Sequence, residues 1–149
     1  MDNFIGNIDA KVDNKGRIII PVEFRKILQT EKDKRLILRK DIYEKCLVLY
    51  PVRVWEEELS SFRSKLKKYR KEARQAYRKF IQGVNLLEMD ANGRILIPKR
   101  YLQMAGINAD ALLMGVEQTI EIWAPDCSTE SEMGDDDFAQ FMDGLEDDE

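Results

Sequence analysis

The stretch Val12-Asp13-Asn14-Lys15-Gly16-Arg17-Ile18-Ile19-Ile20-Pro21 returns 77 positions later as Met89-Asp90-Ala91-Asn92-Gly93-Arg94-Ile95-Leu96-Ile97-Pro98. A repeat at fixed offset says that one structural unit is built twice. Each copy spans only about 45 to 50 residues, too few to bury much apolar surface alone, so the two must pack face to face as a pseudo-two-fold pair. The 149-residue chain is then an internal dimer with appendages, not two independent domains.

Within the first copy, Ile8, Ala10 and Val12 alternate with Asp9 and Lys11, the period of a half-buried strand, and Asn14-Lys15-Gly16 supplies a turn. A β-hairpin is predicted in each copy. Gly16 and Gly93 can take the positive φ that such turns demand, and the Asp13 and Asp90 carboxylates can accept backbone N–H groups across them. The return strands Arg17 to Ile20 and Arg94 to Ile97 are apolar without alternation, as expected where both faces are covered. Pro21 and Pro98 then open short helices, Val22 to Leu28 and Lys99 to Met104. Two further strands close each copy: Leu36 to Arg39 and Leu47 to Tyr50, then Leu112 to Val116 and Ile120 to Trp123. The expected fold class is α+β, organised as a first repeat (residues 1–52), a basic helical linker (53–82), a second repeat (83–125) and a disordered acidic tail (126–149).

The linker has neither Gly nor Pro between Val52 and Gln82, and Trp55, Leu59, Phe62, Leu66, Tyr69, Ala73, Ala76 and Phe80 recur at steps of four and three. Such a seam wants a partner surface. Either the segment folds back as a helical hairpin over its own body, or it offers a stripe to a neighbouring subunit; periodicity leaves one helix or two equally open.

Net charge is −4, but that average hides two regions of opposite sign. Residues 126–149 hold eleven acidic residues and no Lys or Arg, which leaves 24 basic against 17 acidic residues in the rest of the chain. The linker alone carries ten Lys or Arg against Glu56, Glu57, Glu58 and Glu72. A basic body points to a polyanion partner. The tail is rich in Ser, Thr, Gly, Asp and Glu, which cannot offset the entropy of ordering, yet Phe138, Phe141, Met142 and Leu145 are spaced to form an amphipathic turn or two on a protein partner.

There is no histidine, no GxSxG, no P-loop and no dinucleotide fingerprint, so no catalytic site and no cofactor are expected. Cys46 and Cys127 form no CxxC pair, and Asp135-Asp136-Asp137 lacks the alternating spacing of a calcium loop, so no metal is expected either. The start Met1-Asp2-Asn3-Phe4 has no basic n-region or long apolar run, which predicts cytoplasmic residence and no membrane.

The paired motif Asp-x-x-x-Arg, here Asp13 to Arg17 and Asp90 to Arg94, each continued by three aliphatics and Pro, resembles the MraZ family of bacterial transcriptional regulators. The resemblance covers residues 4–125 and includes Phe4-Ile5-Gly6, Leu47-Val48-Leu49-Tyr50-Pro51, Glu72-Ala73-Arg74 with Arg78, and Gly83, in order. It implies an AbrB-like fold in which two hairpin-bearing halves interlock as a swapped-hairpin barrel. It further implies a homo-oligomeric ring, associated with the nucleoid, that binds repeated elements in double-stranded DNA upstream of a division and cell-wall gene cluster.

Arg is the side chain best able to fork onto guanine edges or clamp a phosphate, and Arg17 and Arg94 begin strands just after exposed turns. The competing reading is that each Arg pairs with its own Asp and merely fixes the turn. Lys15 is cast as a phosphate contact, with Lys11 beside it, while Asp13, Gly16, Asp90 and Gly93 are architectural. The first hairpin has Lys11, Lys15 and Arg17 where the second has Glu88, Asp90 and Arg94, so the first repeat is expected to dominate DNA contact; Arg25 and Lys26 could extend the phosphate track. An oligomeric protein-interaction scaffold without DNA binding is the contrasting class.

Overall fold

A computed structural model describes residues 3–67 and 69–147. The first copy supplies β1 (Asn7–Lys11), β2 (Arg17–Ile19), α1 (Val22–Leu28), β3 (Arg35–Lys40) and β4 (Leu47–Pro51), and the linker forms α2 (Val52–Ser64) and α3 (Lys71–Ile81). The second copy repeats the order with β5 (Asn85–Glu88), β6 (Arg94–Leu96), α4 (Lys99–Met104), β7 (Asp110–Val116) and β8 (Thr119–Trp123), followed by α5 (Pro125–Glu130) and α6 (Asp135–Asp147).

Six strands form one antiparallel sheet in the order β1-β7-β8-β4-β3-β5, and β2 and β6 form a separate two-stranded ribbon. The first strand of each copy pairs with the third strand of the other: β1 runs against β7 from Asn7↔Met114 to Lys11↔Asp110, and β5 runs against β3 from Leu38↔Asn85 to Arg35↔Glu88. At the centre β4 meets β8 through Leu47↔Ile122, Val48↔Glu121 and Leu49↔Ile120. The sheet stays open, with β1 and β5 as its edges, and closes no barrel. The turns explain why, and they replace the expected local hairpins: β1 and β2 share only the bridge Val12↔Ile18, so in each copy the strand leaves the sheet at its turn and enters the ribbon instead.

The core lies between one face of the sheet and the ribbon with its two helices. Ile18, Ile20, Ile95 and Ile97 from the ribbon strands and their exits meet Leu36, Leu38, Leu47, Leu49, Leu113, Ile120 and Ile122 from the sheet. Helix α1 adds Phe24 and Leu28, four residues apart on one face, and α4 adds Tyr101 and Leu102. Phe4 sets its ring edge-on to Phe24 at 5.5 Å. Each of these fully buried side chains contributes about 1.5–3 kcal/mol by leaving water.

Three expectations need correcting, the first being the barrel, since the sheet is open. The return strands do not have both faces covered: Ile19 is 57% exposed and Leu96 53%, while Ile18 and Ile95 are fully buried. A two-stranded ribbon laid on a core has one dry face and one wet one, whatever its composition. Of the alternatives left open for the linker the structure shows the helical hairpin: one helix ends at Ser64 and the next begins at Lys71, and folding back lets Phe80 stack on Trp55 at 5.5 Å and reach Phe62 at 4.2 Å. That second cluster, with Ile37, Val48, Tyr50 and Val52, covers the sheet face opposite the main core, although Tyr69 from the same seam is left 99% exposed.

The third correction concerns the tail, which is helical through Asp147 and not disordered over its described length. Pro125 opens α5, which packs on β7 and buries Ser128, because its φ is already helical. In α6, Asp135, Asp136 and Asp137 occupy the first turn, where carboxylates complement the helix dipole. Among the described residues no helix is long and apolar enough to cross a membrane.

Candidate nucleic-acid interface

Each turn is held by one carboxylate. Asp13 Oδ1 accepts the backbone N–H groups of Lys15 and Arg17, both at 2.9 Å, and its Oδ2 accepts Arg17 Nε at 2.6 Å. Asp90 repeats the pattern, taking Asn92 N–H, Arg94 N–H and Arg94 Nε, each at 2.9 Å. Donation from the Arg17 backbone, ahead of its side chain and the Lys15 backbone, holds the Asp13 carboxyl down at about 2. The Arg94 backbone depresses Asp90 in the same way.

Gly16 and Gly93 have φ of +92° and +78°, the left-handed region the turns require. They also interlock the copies, since Gly16 O accepts Ile97 N–H at 2.9 Å and Gly93 O accepts Ile20 N–H at 2.8 Å. A Cβ on Gly16 would stand 2.6 Å from the Ile97 carbonyl oxygen.

The ribbon register then brings both arginines to one surface. Arg17 lies opposite Leu96, Ile18 opposite Ile95, and Ile19 opposite Arg94. Because side chains alternate along a strand, Arg17, Ile19, Arg94 and Leu96 share the wet face, with the two arginines on a diagonal about the buried Ile18–Ile95 pair. In both, Nε is committed to the turn aspartate, whereas among the described residues neither Nη group has a hydrogen-bond partner. Turn fixing and an available guanidinium edge therefore coexist in the same side chain.

Lys15 stands exposed on the first turn, next to Gly16. Lys11 is placed differently: on edge strand β1 it forms an ion pair with Asp110 of β7, its register partner. Two features of this face escaped the sequence. One is the aliphatic pair Ile19 and Leu96, concealed in runs that read as buried; only the two-strand partition reveals them. The other is the placement of Arg25, which the sequence offered only as an extension of the phosphate track: its guanidinium packs against the Gly93 turn, with its Nε buried and unpaired among the described residues. Its repeat equivalent Leu102 packs against Gly16, so the 77-residue offset carried that signal.

Nothing nearby suggests chemistry. Burial pushes the Cys46 thiol up to about 12, which keeps it protonated and inert.

A family model described as "MraZ protein, putative antitoxin-like" matches the chain twice, over residues 4–79 and 80–127. The chain is 51% identical over 124 residues to a protein of Bacteroides fragilis named transcriptional regulator MraZ, covering 83% of this chain and 78% of that one. A protein of the same name from Bacteroides thetaiotaomicron is 43% identical over 149 residues, covering 100% and 96% respectively. Another from Flavobacterium psychrophilum is 33% identical over 126 residues, covering 85% and 80%.

Proposed function

The chain belongs to the MraZ family, and on that premise we propose that it is a transcriptional regulator that binds double-stranded DNA through the wet face of the β2–β6 ribbon. The family is not an enzyme family, and no residue is given a catalytic role. One observation carries the reading: Arg17 and Arg94 stand on one exposed face of a two-stranded antiparallel ribbon. Such a ribbon fits the major groove of B-DNA.

In this reading Arg17 and Arg94 reach base edges with their Nη groups, and the turn aspartates hold each guanidinium in one rotamer before DNA arrives. Asp13, Gly16, Asp90 and Gly93 are the architecture of that presentation. Lys15 neutralises a phosphate from the first turn, and Lys11, shared with Asp110, adds to the same flank. Ile19 and Leu96 hold the other two corners of the same face, where they can meet thymine methyl groups. The first repeat dominates contact, because Lys15 flanks Arg17 while Ala91 and Asn92 precede Gly93 and Arg94.

The interleaved pairing of β1 with β7 and β5 with β3 supports reading the halves, residues 1–52 and 83–125, as AbrB-type swapped hairpins, with 53–82 as linker and 126–149 as tail. The protein acts in the cytoplasm on the nucleoid, as a homo-oligomeric ring whose several ribbons meet repeated elements upstream of a division and cell-wall gene cluster. Repetition raises effective concentration, which lets a module with few basic contacts bind tightly.

The test is fluorescence anisotropy with the DNA upstream of this protein's own gene, titrated at several salt concentrations. Binding that weakens steeply with salt is expected, since phosphate contacts release counterions. Folded, assembled protein that ignores this DNA at low salt would instead favour the scaffold reading, for which the exposed apolar stripe of α6 is the supporting observation.

A further inference from the structure

Two surfaces in this chain lack a partner and complement each other. The first is α6. Phe138, Phe141, Met142 and Leu145 fall at i, i+3, i+4 and i+7 along it and are 54%, 57%, 46% and 47% exposed. Asp135, Asp136, Asp137 and Asp143 flank that stripe, and the segment has no Lys or Arg. A helix of about 13 residues is marginal in water on its own, and an acidic one containing Gly144 more so. Such a helix is stable when its apolar stripe is covered.

The second surface is a groove of about 280 Å³ at the turn end of the α2–α3 hairpin, lined by Arg63, Leu66, Ala73, Arg74, Tyr77 and Arg78. Its floor is apolar and half-buried; its rim is three exposed arginines, none in an ion pair among the described residues. The apolar stripe of α6, Phe138 to Leu145, is about 10 Å long, two turns of helix. Apolar floor meets apolar stripe, and arginine rim meets carboxylates.

We propose that α6 of one copy docks in the α2–α3 groove of a second copy, as an acidic amphipathic helix laid in a basic apolar groove. The copy's own α6 is a poor occupant. Helix α5 packs on β7, two strand spacings or about 10 Å from β4 and three or about 14 Å from β3, the two strands on which α2 packs. The connection 131–134 reaches about 14 Å at full stretch, less than that lateral distance combined with the roughly 20 Å along α2 to the hairpin's turn, and within one chain the α6 stripe stays exposed. With one helix and one groove per chain, a closed assembly satisfies every copy.

The inference rests on the oligomeric part of the reading above and is independent of DNA binding. Its test is disulfide trapping in the full chain carrying Phe141→Cys and Tyr77→Cys together, with each single variant as control, resolved on a non-reducing gel. A ladder of covalent dimers and higher species is expected in the double variant alone, and adding Arg74→Glu and Arg78→Glu should abolish it. A covalently closed monomer would overturn the second-copy occupant, and no cross-link in folded protein would overturn the docking. DNA affinity, measured in parallel, reports separately on the regulator reading.

Discussion

The two turns share a design but not a tolerance for change. At Gly16 an added Cβ meets the backbone oxygen of Ile97, which cannot yield without breaking the interlock between copies. At Gly93 it meets the Arg25 side chain, which can swing away. Both carry the cost of a left-handed residue, about 1–2 kcal/mol, so Gly93→Ala should lose about that much and Gly16→Ala distinctly more, as read by urea unfolding. The aspartates add a pH dependence. Asp13 is lowered from 3.8 to about 2 in the folded state, so its contribution is complete above pH 4 and disappears as pH falls through 2. A carboxyl NMR titration of folded protein should put Asp13 near 2, and a midpoint near 4 would remove the turn's three hydrogen bonds from the account.

Among the elements, the helical hairpin is attached to the sheet through few side chains. Trp55 lies between Tyr50 and Phe80, with Tyr50 edge-on at 5.4 Å and Phe80 stacked at 5.5 Å. Trp55→Ala should therefore cost about 3–5 kcal/mol and release the hairpin first, seen as loss of amide protection over α2 and α3 before the sheet. Much at this scale was legible beforehand. The helices after Pro21 and Pro98 fall on the residues, Val22–Leu28 and Lys99–Met104, that the two prolines mark out. The wet face of the ribbon was not legible, because three consecutive aliphatics look the same whether a strand is covered on one face or two; pairing with a strand 77 residues away decides it. The break in the linker was hidden for a similar reason. Contact between Trp55 and Phe80, 25 positions apart, outweighs helical continuity, and no local pattern reports that. Of the candidate site, the motif revealed the turn residues, while Ile19, Leu96 and the placement of Arg25 depended on the interlock.

The whole molecule is divided in charge, with a basic body and eleven acidic residues in its last 24. In the proposed reading, the tail's carboxylates compete with DNA phosphates for the cations of the basic body. Removing residues 131–149 should therefore raise the association rate with DNA roughly tenfold at low salt, with the difference fading as salt rises. Stopped-flow binding at two salt concentrations checks this, and identical rates would confine the tail to contacts between copies. The central claim concerns the ribbon's wet face, where the pseudo-two-fold fold sets Arg17 and Arg94 on a diagonal of one surface. It is tested most directly by the affinity of Arg17→Ala and Arg94→Ala for the upstream DNA, with fold and assembly verified by circular dichroism and light scattering. Each should lose about 1–3 kcal/mol, with Arg17→Ala losing more, if these guanidinium groups read bases. Wild-type affinity in both variants, folded and assembled, would contradict the account.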